Sequence, residues 1–261
     1  MSNESVLGGG VFLLEPERHQ IILEALKVKN SVKLQELVEL TNSSESTIRR
    51  DLIQLEQGKF LKRVHGGAAR LQGKLQEPSM IEKSFKNLQP KRQIAQYAGS
   101  LVEEGDCIYL DAGSTIFEMI PFLPDNIVVV TNGLTHVNEL LEKNIKTFLI
   151  GGYAKPSTKA LIGRGALDSL EHYRFDKCFM GVNGIHSQFG YTTPDPEEAM
   201  VKKLAMSLSR EAFVVSDESK FSEIAFAKIA DLHLATIITN DLDPDMQEHY
   251  HSKTKIKVVT S

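Results

Sequence analysis

The chain has 261 residues and a net charge of −4, and 41% of its residues are hydrophobic. This length exceeds what one small core needs and predicts two domains. No apolar run approaches the roughly 18 residues of a membrane helix, and two cysteines, Cys107 and Cys178, far from any CxxC spacing, predict neither a disulfide framework nor a zinc site. We therefore expect a cytoplasmic protein with no membrane partner, no metal and no cofactor.

Residues 1–16 are predicted to form an N-terminal extension. No lysine or arginine precedes Arg18, and the apolar run at 11–14 is short, so the segment does not have the pattern of a secretory signal. Two amphipathic helices follow, with apolar positions in 21–26 and in 34–40. The turn formers Asn42 and Ser43 end the second helix.

The third predicted helix carries the first candidate site. Ile48, Leu52 and Leu55 recur at i, i+4 and i+7 and are expected to face a small core. The polar residues near the start of the helix lie outside this stripe, where a helix in the DNA major groove meets bases and phosphates. The candidate DNA-binding residues of this helix are Ser44, which also suits the N-cap position, Ser46, Thr47, Arg49 and Arg50.

A β-hairpin is predicted after the third helix. Residues 60–64 have a strand pattern, and Gly66 and Gly67 permit a tight reversal. Lys62, Arg63 and His65 on this hairpin are suited to phosphate contact. Three helices and a hairpin over residues 17–72 predict a winged helix-turn-helix domain.

The charge distribution agrees with DNA binding by this segment. Residues 44–70 hold six lysines and arginines against three acidic residues, whereas residues 73–261 hold 20 against 25. Positive charge gathered on one helix and hairpin is the pattern expected of phosphate binding. Winged helices also serve as protein-interaction modules, and in that alternative Arg49 and Arg50 are incidental surface residues.

The run SESTIRRDLIQLEQGKFLKRVHGGA, residues 44–68, resembles the signature of the DeoR family of bacterial transcriptional regulators. The resemblance is dense over these 25 residues. It implies a sequence-specific regulator whose partner is operator DNA.

A linker is predicted over residues 73–88, where the sequence is polar and contains Pro78. From residue 89 to 261, helical and strand patterns alternate. Strand-like runs lie at 107–110, 127–130, 147–150, 178–180, 213–215 and 235–238. Alternation of this kind predicts an α/β domain with a mostly parallel sheet covered on both faces.

Polar or glycine-rich residues follow five of these runs. Ligands of such sheets bind at the carboxyl ends of the strands. Asp111 to Thr115 lead into a predicted helix, where hydroxyls and free backbone N–H groups favour a phosphate. The other strand ends are 131–133, 151–152, 181–184 and 216–220. The predicted effector-binding residues are Asp111, Gly113, Ser114, Thr115, Thr131, Asn132, Gly151, Gly152, Lys202, Asp217 and Lys220.

These strand ends also look like the effector domain of the DeoR family. That domain is similar in fold to ribose-5-phosphate isomerase and glucosamine-6-phosphate deaminase, so the resemblance implies that it senses a phosphorylated sugar. The runs 158–163 and 225–229 look most like fructose-operon repressors of Gram-positive bacteria. That resemblance implies fructose 1-phosphate as the effector and a fructose phosphotransferase operon as the target.

The sequence thus predicts a repressor, not an enzyme, that a sugar phosphate releases from its operator. A homodimer or homotetramer is expected, because symmetric regulators match repeated half-sites. The alternative is a sugar-phosphate isomerase or deaminase with a DNA-binding module, in which Glu198 or Asp217 acts as the base. No histidine adjoins either carboxylate in the sequence, which favours the repressor.

Overall fold

The computed structural model describes residues 13–29, 31–58, 60–64, 66–70 and 79–259. The chain divides into two compact units, Met1–Gly73 and Lys74–Ser261. Within the described ranges, no helix is both long and apolar enough to cross a bilayer.

The first unit is a winged helix. Its helices are α1 (Glu15–Lys29), α2 (Leu34–Thr41) and α3 (Glu45–Gln57), and its strands are β1 (Ser31–Lys33), β2 (Leu61–Val64) and β3 (Gly67–Arg70). The strands form an antiparallel sheet in the order β1-β3-β2. Ile22, Leu37, Ile48 and Leu61 are fully buried in one core, as the amphipathic patterns require. The helix α1 begins at Glu15, inside the predicted extension.

Strand β1 is not among the elements predicted from the sequence, and it explains why Gly67 of the hairpin is a glycine. Ser31–Lys33 is too short to show an alternating pattern. A Cβ on Gly67 would lie 2.2 Å from the carbonyl oxygen of Val32. Gly67 therefore permits β1 to pair closely with β3, and Gly66 supplies the positive φ of +77° at the turn.

The second unit is a three-layer α/β domain. Its helices are α4 (Met80–Phe85), α5 (Leu88–Gly99), α6 (Ser114–Phe117), α7 (Leu134–Glu142), α8 (Arg164–Leu170), α9 (Pro196–Ser207) and α10 (Pro244–His251). Its strands are β4 (Cys107–Leu110), β5 (Val128–Thr131), β6 (Lys146–Leu149), β7 (Tyr153–Ala154), β8 (Leu161–Ile162), β9 (Phe175–Met180), β10 (Gly184–His186), β11 (Gly190–Thr193), β12 (Ser209–Val215), β13 (Ala227–Ala230), β14 (Thr236–Asn240) and β15 (Ile256–Val259).

The main sheet has seven strands in the order β15-β14-β12-β9-β4-β5-β6, and every neighbouring pair is parallel. The predicted mostly parallel sheet is therefore confirmed. Ile108 and Leu110 face one apolar core, and Tyr109 and Cys178 face the other. Alternate residues of β4 thus pack on opposite faces, so both faces of the sheet are covered.

The strand order reverses at β4. From β4 the chain proceeds to β5 and β6 on one side, and β9, β12, β14 and β15 lie on the other. Such a reversal opens a crevice outside the carboxyl ends of the two strands that flank it, here β4 and β9. Ligands of parallel sheets bind in this position.

Two parts of the second unit differ from the sequence prediction. The segment 73–88, predicted as a linker, is helical at Met80–Phe85, where Ser79 and Glu82 form a capping box. Six residues are too few to show a helical period. The predicted helix after β4 is present as α6, but it has only four residues. A single turn contributes little dipole, so an anion at this strand end depends on side chains and local N–H groups.

Candidate functional site

The first turn of α3 is arranged as the sequence predicts. Ser44 is the N-cap and accepts a hydrogen bond of 3.2 Å from the backbone N–H of Thr47. The hydroxyls of Ser46 and Thr47 lie 2.9 and 2.8 Å from the Ser44 hydroxyl. Ile48, Leu52 and Leu55 are buried, so the polar start of the helix is turned away from the core.

Arg49 and Arg50 are both exposed on α3. The Nη2 atom of Arg49 lies 2.6 Å from Glu45 Oε1 in an i, i+4 ion pair. This pair is exposed and weak, so Arg49 can exchange Glu45 for a base edge or a phosphate.

The opposite side of α3 holds a buried ion pair that the sequence analysis missed. Asp51 is 1% exposed and accepts two hydrogen bonds from Arg18, 2.7 Å from Nε and 2.9 Å from Nη2. Hydrogen bonding to Asp51 is the main cause that raises the pKa of Arg18. A bidentate pair of this kind fixes the orientation of α3 against α1.

Two of the three predicted DNA-binding residues of the hairpin lie within the described residues. Lys62 is partly exposed, and Arg63 is exposed. Arg63 Nε donates to Glu56 Oε2 at 2.7 Å, which connects β2 to the end of α3. Burial opposes the lowering of the pKa of Glu56, but the hydrogen bonds and charge of Arg63 outweigh it. His65, the third predicted residue, lies outside the described residues.

A buried ion pair stands at the switch point of the second unit. Lys202 Nζ lies 2.5 Å from Asp111 Oδ2, and the two side chains are 8% and 2% exposed. Asp111 Oδ2 also accepts from the backbone N–H of Gly181 at 3.1 Å, and Lys202 donates to the carbonyl of Gly181. The pair therefore joins the ends of β4 and β9 through α9. In this arrangement Lys202 is the counter-charge of Asp111.

Ser114 and Thr115 lie beside this pair at the start of α6. Each is 8% exposed, and the first backbone N–H groups of a helix have no partner within it. The hydroxyl of Ser114 accepts a hydrogen bond of 3.0 Å from Lys91 Nζ. Lys91 also donates to the carbonyl of Lys83. These contacts place a buried ammonium group directly at the predicted phosphate position.

Lys91 is not among the residues predicted from the sequence, although the sequence contains a signal for it. Ile94, Ala95 and Ala98 follow Lys91 at i+3, i+4 and i+7, and all three are buried in α5. Lys91 thus lies on the apolar stripe of the helix, and it is only 5% exposed. A lysine on a buried stripe requires a polar partner, and this requirement makes Lys91 a candidate ligand-binding residue.

Further charges surround Lys91. Burial is the largest cause that lowers its pKa; Asp217 opposes this effect, and Lys220 and Lys83 add to it. Burial also lowers the pKa of Lys220. The charge of Asp217 raises this pKa, and the charges of Lys86 and Lys83 lower it further. Asp217 Oδ1 accepts from the backbone N–H of Ser219 at 3.1 Å. Glu118 also raises the pKa of Lys91, and Glu223 raises that of Lys220. The lysines still outnumber the carboxylates among these groups, and an anion would relieve the excess positive charge.

Thr131 and Asn132 brace the strand ends. Thr131 is fully buried, and its hydroxyl donates to the carbonyl of Leu110 at 2.7 Å. Asn132 is 2% exposed, accepts from the N–H of Ala112 at 3.0 Å and donates to the carbonyl of Leu161 at 3.3 Å. The predicted effector contacts of these two side chains would have to replace bonds that hold β4, β5 and β8 together.

The predicted glycines have different surroundings. Gly152 has a φ of +124°, and a Cβ there would lie 2.6 Å from the carbonyl oxygen of Ile162. The close approach at Gly152 is therefore to the chain's own backbone. A Cβ on Gly113 or on Gly151 would make only ordinary contacts, at 3.5 Å. At Gly113 this contact is to Gly181, across the switch point.

Glu198, one of the two carboxylates proposed as a base, is 5% exposed at the start of α9. Its Oε1 atom accepts from Thr158 Oγ1 at 2.7 Å and from Lys155 Nζ at 3.1 Å. Thr193 Oγ1 lies 3.5 Å from Oε2. The carboxylate therefore holds the loop between β7 and β8 against α9. Within the described part of the chain, no group of three His, Cys, Asp or Glu side chains is placed to hold a metal.

Known families match both units. The model of the DeoR-like helix-turn-helix domain matches residues 18–74, and the model of the DeoR C terminal sensor domain matches residues 86–241. The chain belongs to the DeoR family of transcriptional regulators. The resemblance seen in the sequence is thus confirmed.

Similar proteins cover nearly the whole chain. The HTH-type transcriptional regulator FruR of Bacillus subtilis, described as uncharacterized, is 52% identical over 95% of this chain and 99% of its own length. The lactose phosphotransferase system repressor of Staphylococcus epidermidis is 30% identical over 92% of this chain and 98% of its own length. Among solved structures, ribose 5-phosphate isomerase A of Methanocaldococcus jannaschii matches with a TM-score of 0.39 and 19% identity, over 52% of this chain and 55% of that one.

Proposed function

We propose that this DeoR-family regulator represses a sugar catabolic operon, the fructose phosphotransferase operon, and that fructose 1-phosphate releases it from operator DNA. The identity to FruR of B. subtilis supports this proposal, as does the resemblance of residues 158–163 and 225–229 to fructose-operon repressors. The protein acts as a homodimer or homotetramer, because a two-fold assembly matches paired half-sites.

One observation carries the sensor part of the proposal. Lys91 is a buried cation whose Nζ atom lies 3.0 Å from the Ser114 hydroxyl, next to the unpaired N–H groups of α6. The charge of Lys220 lowers the pKa of Lys91, and the carboxylate of Asp217 raises the pKa of both lysines. A phosphate accepts charge-assisted hydrogen bonds from such donors, each worth about 1.5–3 kcal/mol. We therefore assign the phosphate to Ser114, Thr115, Lys91 and Lys220, with Lys202 kept as the partner of Asp111.

The same geometry favours a sensor over an isomerase. A general base must have an oxygen within reach of the substrate proton. Oε1 of Glu198 already accepts from Thr158 and Lys155, and Asp217 Oδ1 accepts from Ser219. Carboxylates held in this way suit a structural role better than proton transfer.

Titration calorimetry with fructose 1-phosphate, fructose 6-phosphate, ribose 5-phosphate and glucosamine 6-phosphate tests the proposal. We expect fructose 1-phosphate to bind most tightly and to lower the affinity for an operator selected from random duplexes. We expect every sugar phosphate to remain chemically unchanged. Steady turnover that Glu198→Gln or Asp217→Asn abolishes would instead establish the isomerase or deaminase alternative.

A further inference from the structure

Helix α4 is bonded at its start to the loop between β7 and β8 and near its end to Lys91, a residue of the proposed phosphate site. At its start, the N–H of Met80 donates to the carbonyl of Ser157 at 2.9 Å. Near its end, the carbonyl of Lys83 accepts from Lys91 Nζ. Lys91 is the same group that donates to Ser114. One buried ammonium therefore joins α4 to the residue that we propose binds the phosphate.

The start of α4 is held by the loop between β7 and β8, which is itself bonded to the end of β5 and the start of α7. The N–H of Leu134 bonds to the carbonyl of Lys159, and that of Leu161 bonds to the carbonyl of Asn132. On its other side, this loop is tied to Glu198 through Thr158. Because Thr158 is buried and Glu198 is 5% exposed, the loop is a firm support for Met80.

Helix α4 follows directly after the segment that connects the two units. Met80–Phe85 is the first helix of the second unit, and residues 71–78 join it covalently to the strand β3 of the winged helix. Helix α4 is therefore the first described element of the second unit along the chain from the DNA-binding unit. Lys83 in α4 and Lys86, which directly follows the helix, also add to the positive charge around Lys220.

We propose that α4 transmits effector binding to the DNA-binding unit, with Lys91 as the group that holds it. A phosphate oxygen is a stronger acceptor for an ammonium than a neutral carbonyl is. When phosphate occupies the site at Ser114, Lys91 turns toward it, and α4 loses its hold at Lys83. The effector then favours the state with α4 released, and operator DNA favours the state with α4 held. This inference rests on the proposed function and adds its mechanism.

The hold on α4 can be tested without any effector. In the full chain, Lys91→Met should increase amide hydrogen exchange across residues 79–88. Arg92→Met is the matched control, because Arg92 is the next residue of α5, is exposed and pairs with Glu118. Unchanged exchange across α4 in a folded Lys91→Met protein would overturn the proposed hold.

A second variant separates transmission from binding. Ser79 caps α4 by accepting from the N–H of Glu82 at 3.2 Å, and none of its described contacts reaches Ser114 or Lys91. Ser79→Ala removes the cap and should fray the helix, whereas Ser79→Asn keeps a side-chain acceptor. Both variants should bind fructose 1-phosphate as the wild type does. We expect the effector-induced loss of operator affinity, typically about 5- to 150-fold for coupled sites, to shrink several-fold in Ser79→Ala alone.

The outcomes distinguish the two proposals. Increased exchange across α4 at saturating fructose 1-phosphate, together with weakened coupling in Ser79→Ala, supports transmission through α4. Binding and operator release with unchanged α4 exchange, or full coupling in Ser79→Ala, would overturn the role of α4 and leave the proposed function standing. Absence of binding by any sugar phosphate in the panel would overturn the proposed function, while the Lys91→Met comparison would still decide whether α4 is held.

Discussion

Lys202 Nζ and Asp111 Oδ2 are 2.5 Å apart in the interior of the sensor unit, where α9 meets the ends of β4 and β9. Asp111 stands next to the residues that lead to Ser114, and Lys202 also contacts the carbonyl of Gly181. The ion pair thus fixes the two loops that flank the switch point. The pair lies beside Ser114, which belongs to the proposed phosphate site.

Breaking this pair should destabilise the protein. Lys202→Met leaves Asp111 as a buried carboxylate without its counter-charge, and such a loss costs about 3–5 kcal/mol. Denaturant unfolding of the sensor unit measures it. Lys203→Met is the control, because Lys203 is exposed on the same helix. If Lys202→Met unfolds at the wild-type denaturant concentration, the pair contributes nothing to the fold.

The recognition helix and the wing should contribute differently to DNA binding. Arg49→Ala or Arg50→Ala should lose about 1–3 kcal/mol of operator affinity if the side chain contacts a base. Lys62→Ala should weaken all DNA about equally and reduce the salt dependence by about one phosphate. Gel-shift titrations on operator and random duplexes at several salt concentrations separate the two effects. Wild-type affinity in both arginine variants would exclude α3 from the DNA interface.

Removing both hydroxyls of the proposed phosphate site should produce a superrepressor. The double variant Ser114→Ala, Thr115→Ala should lose effector affinity severely and keep operator affinity, because both residues lie in the sensor unit. Target genes would then stay repressed when fructose is supplied. Calorimetry and a reporter gene measure the two properties. Normal induction together with unchanged affinity for fructose 1-phosphate would show that the phosphate binds elsewhere.

Effector affinity should depend on pH in a defined window. A sugar phosphate loses its second proton near a pKa of about 6, and the dianion is the better ligand for cations. Burial holds the pKa values of Lys91 and Lys220 below 10.5, so their charge is lost earlier than usual as the pH rises. Calorimetry should show a plateau between these limits and a decline on the alkaline side. Lys91→Arg, which stays charged, should reduce that decline; an identical profile would remove Lys91 from the site.

His136 should make the sensor unit sensitive to acid. It is fully buried, and burial lowers its pKa from 6.5 to about 4. Between these two pKa values the unfolded chain binds a proton at His136 that the folded protein does not bind. The free energy of unfolding therefore begins to fall as the pH drops through 6.5, and the loss is complete below about 4. Between pH 7 and pH 5 this loss amounts to about 2 kcal/mol. Denaturant unfolding should show it in the wild type and in His172→Gln, an exposed control, and not in His136→Gln.

The sequence alone determined those features that depend on local pattern. The stripe of Ile48, Leu52 and Leu55 requires a helix with one buried face, and Ser44 caps it as expected. Apolar runs separated by helical segments likewise require a covered parallel sheet, and six of its strands were predicted. These features follow from periodicity and from backbone hydrogen bonding, which act over a few residues.

Only the tertiary structure decided which polar groups meet. Asp111 and Lys202 are 91 residues apart in the chain, and no local pattern indicates that they pair. The place of Thr131 and Asn132 at a strand end predicts ligand contacts, but in the structure their polar atoms bond to neighbouring strands. Lys91 meets Ser114 because α5 packs against α6. Packing between elements that are distant in the chain determines which side chains become partners. Composition and residue spacing do not reveal this packing.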